Sequence, residues 1–359
     1  MNINKRYFTK RLLAWNEKEN RRAMPWKGEK DSYKIWLSEI ILQQTRVEQG
    51  LNYYNRFVKA FPDIKKLATA PEQKIFKLWE GLGYYTRCKN LIATAKFIVK
   101  EREGKFPQTY PEILSLKGIG PYTAAAIASF AFDLPHAVVD GNVFRVLSRF
   151  FGINNATDST TGKKLFTELA EELLDRNQPG VYNQAIMDFG AVVCKPKNPS
   201  CDICPLKTKC VALLQNKIDL LPLKAGKLIK RNRWFYYLII EHGRKIYIRK
   251  RGAKDIWENL YEFVLLETEK IMTVEKLQET VTFRNIINKN KVEIIHVSKL
   301  YKQQLTHQTI QGRFIQLKVK RVPSLKDYKA ATYKELVKLP FPKLITAYLA
   351  ENVLIGFDR

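Results

Sequence analysis

The 359-residue sequence is short of cysteine, of negative charge and of long apolar runs. Five cysteines are few, and odd in number, which argues against a disulfide framework. No apolar run approaches the ~20 residues that a membrane helix needs. Met1–Trp15 carries Lys5, Arg6, Lys10 and Arg11, but no continuous apolar stretch follows. That argues against an ordinary secretory signal, and a cytosolic chain is expected. Internal repeats and low-complexity tracts are also missing.

Asp and Glu number 35 against 62 Lys and Arg, a formal charge of +27 with a pI near 9.8. Such an imbalance favours a polyanionic partner; the plain alternative is a lysine-rich surface without one. Both halves of the chain share the surplus, so it is not one disordered tail. Tyr (17), Phe (19) and Trp (6) supply rings able to stack on or wedge between bases. With 45% hydrophobic and 27% charged residues the composition is globular, and the length suits two or three domains.

Residues 1–214 read as almost entirely helical. Ser32–Val47 has an apolar stripe of Ile35, Trp36, Ile40 and Ile41, with Asp31 or Ser32 to cap it. Further helices are expected at Glu72–Glu80, Thr86–Lys100, Pro121–Phe132, Asn142–Phe151, Gly162–Leu174 and Val181–Val193. Residues 215–233, with Pro222, Gly226 and spaced lysines, read as a linker. From Trp234 short β-branched runs dominate: Trp234–Glu241, Lys245–Lys250, Phe263–Glu267, Val292–Lys299 and Arg313–Val319. They predict an α+β domain over 234–359, closing in a helix near Pro342–Asn352.

Three patterns carry chemistry. In Leu116-Lys117-Gly118-Ile119-Gly120-Pro121-Tyr122-Thr123 a helix ends, two glycines turn the chain, and Pro121 opens a new helix. Glycines let a phosphate approach the backbone, and the free N–H groups of the new helix can hold it. Lys117, Gly118 and Gly120 are therefore candidate DNA contacts. About twenty residues later, Asp140 stands between Val138-Val139 and Gly141-Asn142-Val143, as a helix cap or as a group facing a sugar. Cys194, Cys201, Cys204 and Cys210 form C-x6-C-x2-C-x5-C. A clustered set of four in a cytosolic chain suits a metal group better than disulfides. Zinc stays open on spacing alone, although zinc sites more often use two C-x2-C pairs.

The hairpin followed by Val-Asp-Gly-Asn-Val resembles the endonuclease III superfamily of helix–hairpin–helix DNA glycosylases. That resemblance implies a [4Fe–4S] cluster on the four cysteines. It also implies a six-helix barrel over about 25–137, with the N-terminal segment and 138–214 forming an iron–sulfur subdomain. Lys195 and Lys197, in the first cysteine loop, become candidate phosphate contacts. Within the superfamily, lyases carry a Lys after the hairpin that forms a Schiff base. Tyr122 stands there and cannot form an imine. Trp36-Leu37-Ser38-Glu39-Ile40-Ile41-Leu42-Gln43-Gln44-Thr45-Arg46-Val47 is similar to the signature of the MutY-type adenine DNA glycosylases. A Glu on an otherwise apolar helix face costs free energy unless partnered or functional.

The resemblance implies that Glu39 protonates the departing adenine at N7 and that Asp140 stabilises or attacks the oxocarbenium-like sugar, the two-carboxylate logic of glycoside hydrolysis. Tyr122 and Asn142 are expected to support them. The base must leave the duplex to be reached. Gln44, and Leu82 and Tyr84 in the turn Trp79–Tyr85, match positions where the family inserts side chains; Arg87 and Lys89 are candidate phosphate contacts.

Residues 230–359 resemble the MutT-like domain that reads 8-oxoguanine. The segments 246–251 and 256–263 look like its opening strands. Its lesion loop is usually Phe-Ser-His; Leu305-Thr306-His307 departs at two positions and keeps a hydroxyl in Thr306. No acidic nucleotide-hydrolase helix follows, so this domain should bind and not hydrolyse. The expected enzyme is a monofunctional adenine DNA glycosylase. It would act on double-stranded DNA with adenine opposite 8-oxoguanine or guanine, as a nucleoid-associated cytoplasmic monomer. The rivals are an endonuclease III-like lyase acting on oxidised pyrimidines and a lesion sensor without chemistry.

Overall fold

A computed structural model describes residues 3–45, 47–226, 230–253, 255–287, 291–321 and 325–351. The chain divides into two compact units, Met1–Thr69 with Asn90–Gly226 and Ala70–Lys89 with Lys227–Arg359. Among the described residues twelve α-helices come before the sheet: α1 Ile3–Lys18, α2 Ser32–Leu42, α3 Val47–Ala60, α4 Ile64–Thr69, α5 Glu72–Trp79, α6 Tyr85–Arg102, α7 Tyr110–Ser115, α8 Pro121–Phe132, α9 Gly141–Phe151, α10 Thr160–Leu173, α11 Pro179–Val192 and α12 Val211–Leu214. The second unit takes α5 and the start of α6. No helix among the described residues is long and apolar enough to cross a membrane.

In the first unit the helix reading holds in outline. Helix α8 is Ala-rich and buried on nearly every side, as its composition predicts, and packs against α2, α7 and α11. Asp31 caps α2 by accepting from the Tyr33 amide at 2.9 Å. One expectation is corrected: the stripe does not run as one helix to Val47. It ends at Leu42, and Gln44 turns the chain with φ +57° before α3 begins. Within the expected linker, residues 221–223 are bonded to the first unit. Leu221 is buried, its carbonyl accepts from Arg149 Nε, and Leu223 accepts from the Thr157 amide.

The second unit is built on a seven-stranded sheet: β1 Arg231–His242, β2 Lys245–Lys250, β3 Tyr261–Thr268, β4 Val292–Val297, β5 Tyr301–Gln304, β6 Gln308–Val319 and β7 Lys329–Ala331. The order is β4-β6-β1-β3-β2-β7, with β5 also on β6. Strands β1 and β6 run parallel from Arg231↔Gln308 to Glu241↔Lys318, and the other pairs are antiparallel. Alternation sends Tyr236, Leu238 and Ile240 toward α13 (Val274–Glu279) and α14 (Val281–Ile287). On the opposite face Phe314 stacks between Tyr237 and Tyr348 of α16 (Lys343–Glu351); α15 is the short Tyr333–Leu336. The segment 70–89 packs within this unit: Lys77 Nζ donates to the Leu339 carbonyl at 3.0 Å, and the Phe341 amide to Glu80 at 2.8 Å.

Candidate active site

Glu39 sits near the end of α2, among apolar neighbours that pack on α8, and is 7% exposed. Tyr122, second residue of α8, is close enough for its O–H to favour the ionised Glu39 carboxyl. Asp140 is the N-cap of α9. Its Oδ1 accepts from the Val143 amide at 2.8 Å and its Oδ2 from Asn142 Nδ2 at 3.0 Å. The cap expected as the plain alternative is therefore present, and Asp140 still faces the cavity. Glu39, Tyr122, Asp140 and Asn142 all line one cavity of about 980 Å³ in the first unit.

Burial pushes the Glu39 carboxyl up to about 7; the Tyr122 hydroxyl works against this, and the negative charge of Asp140 adds to it. None of these influences is a cation. Asp140 is raised as well, by burial first, which outweighs the Val143 and Asn142 N–H donors and the Arg145 guanidinium. Glu39 is thus divided between acid and carboxylate at neutral pH, the condition for a general acid.

The hairpin has the expected form. Ile119 is buried and anchors it, while Lys117, Gly118 and Gly120 are exposed. Gly118 has φ +80° and lies against Asn90, so only glycine fits without strain. Gly120 is ordinary extended backbone with open space where a Cβ would stand. Gln44 is exposed.

The cysteines occupy the loop after α11. Cys194, Cys204 and Cys210 pack against the core that holds α9 and α11. Burial, then neighbouring sulfurs, raise Cys201 and Cys210 and push Cys204 up to about 12. Among the described residues no three ligands are drawn up at metal-holding distance. The donor set, four soft sulfurs that sense one another, fits a thiophilic group. Arg149, buried on α9, donates to the carbonyls of Lys195 (2.7 Å) and Pro196 (3.1 Å) and reaches Cys194 Sγ at 3.6 Å. Lys195 is partly buried and Lys197 exposed. Arg145 joins this loop to the cavity: its Nε donates to the Cys194 carbonyl, and its Nη2 donates to Asn142 Oδ1, each at 2.8 Å.

In the second unit, the turn after α5 presents Tyr84, 45% exposed with φ +49°, while Leu82 is buried at 6%. Leu82 thus anchors the turn rather than extending from it. Arg87 is drawn in between the rings of Trp79 and Tyr84, at 5.4 and 5.2 Å. Lys89 pairs with Glu258. Leu305, Thr306 and His307 form the tip between β5 and β6, with His307 exposed. The Tyr84 hydroxyl and Thr306 Oγ1 lie 2.6 Å apart, bringing two separate expectations together.

Sequence reading missed Arg145 and Arg149. Their signal is available: two arginines four apart on the apolar face of α9, where charge belongs only if partnered. It also missed Asp188, inside the apolar run Ala185–Gly190 of α11.

A family model described as HhH-GPD superfamily base excision DNA repair protein matches residues 37–172, and a NUDIX domain model matches 235–351. The adenine DNA glycosylase of Buchnera aphidicola subsp. Baizongia pistaciae is 37% identical over 295 residues, covering 81% of this chain and 83% of the relative. That of Mus musculus is 40% identical over 214 residues, or 57% of this chain and 41% of the mouse protein. A solved thermostable thymine-DNA glycosylase aligns at TM-score 0.55 and 29% identity, over 59% of this chain and 97% of its own. A trapped endonuclease III–DNA covalent intermediate aligns at 0.52 and 17%, over 60% and 99%, a likeness of fold alone. Similarity running through most of both chains in the Buchnera comparison settles the kinship: this chain belongs to the adenine DNA glycosylase family of helix–hairpin–helix base excision repair proteins.

Proposed function

We propose that the enzyme removes adenine paired with 8-oxoguanine or guanine in duplex DNA and leaves an abasic site. The observation that carries this is Glu39: a buried carboxyl held near pKa 7 beside Tyr122 and Asp140 in one cavity. Adenine leaves poorly as an anion. Glu39 gives its proton to N7 as the C1′–N9 bond breaks, and the bonding pair goes to the base. The sugar left behind is oxocarbenium-like. Asp140, its cap bonds already made, offers its remaining lone pairs to C1′ until water adds there and gives its proton to the Glu39 carboxylate. Asn142 fixes the Asp140 carboxylate, and Arg145 fixes Asn142.

The reaction ends at base release. Tyr122 has no amine, and the two cavity lysines are tied elsewhere, Lys27 to Asp188 and Lys30 to Asp133. Lys117, the exposed hairpin and the open N-terminus of α8 support phosphate binding. Gln44 and Tyr84 are the proposed wedges, and Thr306, coupled to Tyr84, the lesion-reading hydroxyl. Cys194, Cys201, Cys204 and Cys210 would hold a [4Fe–4S] cluster, which when bound cross-links the loop that contacts Arg149.

The test is single-turnover base release from a duplex carrying adenine opposite 8-oxoguanine, read with and without hot alkali. Strand breakage only after alkali is the expected result. Breakage without alkali, with borohydride trapping of enzyme on DNA, would replace this reading with the lyase. Tight duplex binding with no breakage either way would replace it with the sensor.

A further inference from the structure

One wall of the cavity is not built from regular structure. Residues 19–31, between α1 and α2, form an irregular strap, and Arg22, Met24, Trp26 and Lys27 of this strap line the cavity. Such a segment has no ladder of backbone bonds to hold its shape, so its side chains must be fixed from outside. Trp26 is fixed by packing, its ring edge-on to Tyr54 at 5.3 Å. Glu29 fixes the far end, accepting from the Lys30 and Asp31 amides and from Lys34.

The near end hangs on Asp188. This carboxylate is fully buried on α11, behind the cavity wall, and plays no part in the chemistry above. Four donors converge on it. Oδ1 accepts from Arg22 Nη1 at 2.8 Å and Gln184 Nε2 at 2.9 Å; Oδ2 accepts from Asn20 Nδ2 at 2.9 Å and Lys27 Nζ at 3.1 Å. Lys27 also donates back to the Arg22 carbonyl at 3.0 Å, closing the strap on itself. Two cations share one carboxylate, so removing it frees both, at side-chain exposures of 23% and 30%, beside the space where the base must sit.

We propose that Asp188 is a positioning residue for base excision: it fastens the strap so that the cavity holds the extruded base in line with Glu39. This rests on the glycosylase reading above. Misplacement of a reacting group by about an ångström costs on the order of a hundredfold in rate. Duplex binding, carried mostly by phosphate contacts, should be spared.

The experiment compares wild type with Asp188→Asn and Lys27→Gln, as full-length protein with its cysteine loop loaded. It reads the single-turnover rate constant, the burst amplitude, and duplex affinity on adenine opposite 8-oxoguanine. For Asp188→Asn the rate constant should fall ten- to hundredfold with affinity within about twofold. Lys27→Gln should fall less, and the double variant no further than Asp188→Asn, because both act through one strap. A purely structural role predicts a lower amplitude with the rate constant of the folded fraction unchanged, and that result would overturn the proposal. A second readout does not depend on turnover: brief trypsin treatment well below the melting temperature. Cutting at Arg21, Arg22, Lys27 and Lys30 should rise at least fivefold in Asp188→Asn. Unchanged cutting rejects the tether. Increased cutting in a protein whose wild type releases no adenine keeps the tether and rejects the glycosylase reading.

Discussion

Each unit buries a glutamate, and the two are treated in opposite ways. Glu39, 7% exposed, has a tyrosine hydroxyl and a second carboxylate for company. Glu262, fully buried in β3, accepts from Arg249 Nε at 2.9 Å and from Arg251 Nη1. Around it the pairing continues. Arg251 also meets Asp255, and Arg233 forms two-pronged bonds with Asp255 and Glu267. Those bonds, to Glu267 first and then Asp255, hold Arg233 above its usual range. Burial pulls Asp255 upward, but the Arg233 bond and the Ile256 amide outweigh it and leave it lowered. Charge in the second unit is neutralised in place, which holds a loop and strands together. At Glu39 no cation offsets the buried carboxyl, which keeps a proton available. Burial alone does not make a carboxyl reactive; the absence of a matching cation does.

The same substitution at the two sites should separate these uses. Glu39→Gln should cut single-turnover adenine release on the order of 10³-fold; release within tenfold of wild type would assign the acid elsewhere. Glu262→Gln should instead destabilise the second unit by roughly 3 kcal/mol, since it removes the buried charge that Arg249 and Arg251 share. Urea unfolding at pH 7 measures this.

Glu39→Gln should carry a stability effect of the other sign. In the folded protein Glu39 titrates near 7, above the ordinary 4.5. Its favourable contribution is complete below 4.5 and is lost as pH rises through 7. The variant and wild type should therefore melt alike at pH 4, and the variant should gain up to about 3 kcal/mol by pH 8.5. Equal melting at both values would mean that Glu39 is not held protonated.

Tyr122→Phe removes the hydroxyl that favours ionised Glu39. Release should slow roughly tenfold. The alkaline limb of the pH–rate profile, where the acid is lost, should move to higher pH. A shift to lower pH would contradict the direction of that hydrogen bond. The smallest effect belongs to Thr306→Ala, which breaks the contact with Tyr84. A loss of about threefold in preference for adenine opposite 8-oxoguanine over guanine is expected, read from paired rate constants.

Legibility followed locality. The hairpin lies in eight consecutive residues, so its glycine, proline and anchoring isoleucine could be read directly. Glu39 was legible as a charge out of place on an apolar face. Asp188 carries the same signal in α11 and escaped because its partners lie about 160 residues away, in a strap without pattern. The end of α2 was misread because no glycine or proline marks it; Gln44 takes the left-handed conformation instead. Strand β2 matches its expected bounds, whereas β5 and β7, four and three residues long, have too few side chains to show alternation. The attachment of 70–89 to the second unit rests on bonds across 169 to 262 residues, and no local pattern can report those.

The parallel pairing of β1 with β6 has a consequence for synthesis. All the chain of the first unit has been made by residue 226, but β1 has no β6 beside it until residue 319 has emerged. Through that interval the apolar centre of β1, Phe235–Ile240, waits with one edge unpaired, and segment 70–89, translated long before, waits with it. Order in time thus differs from order in the chain: an early segment is completed by loops made much later. Ribosome pausing between 242 and 308 would lengthen the exposure of that edge, and with it the chance of aggregation during translation.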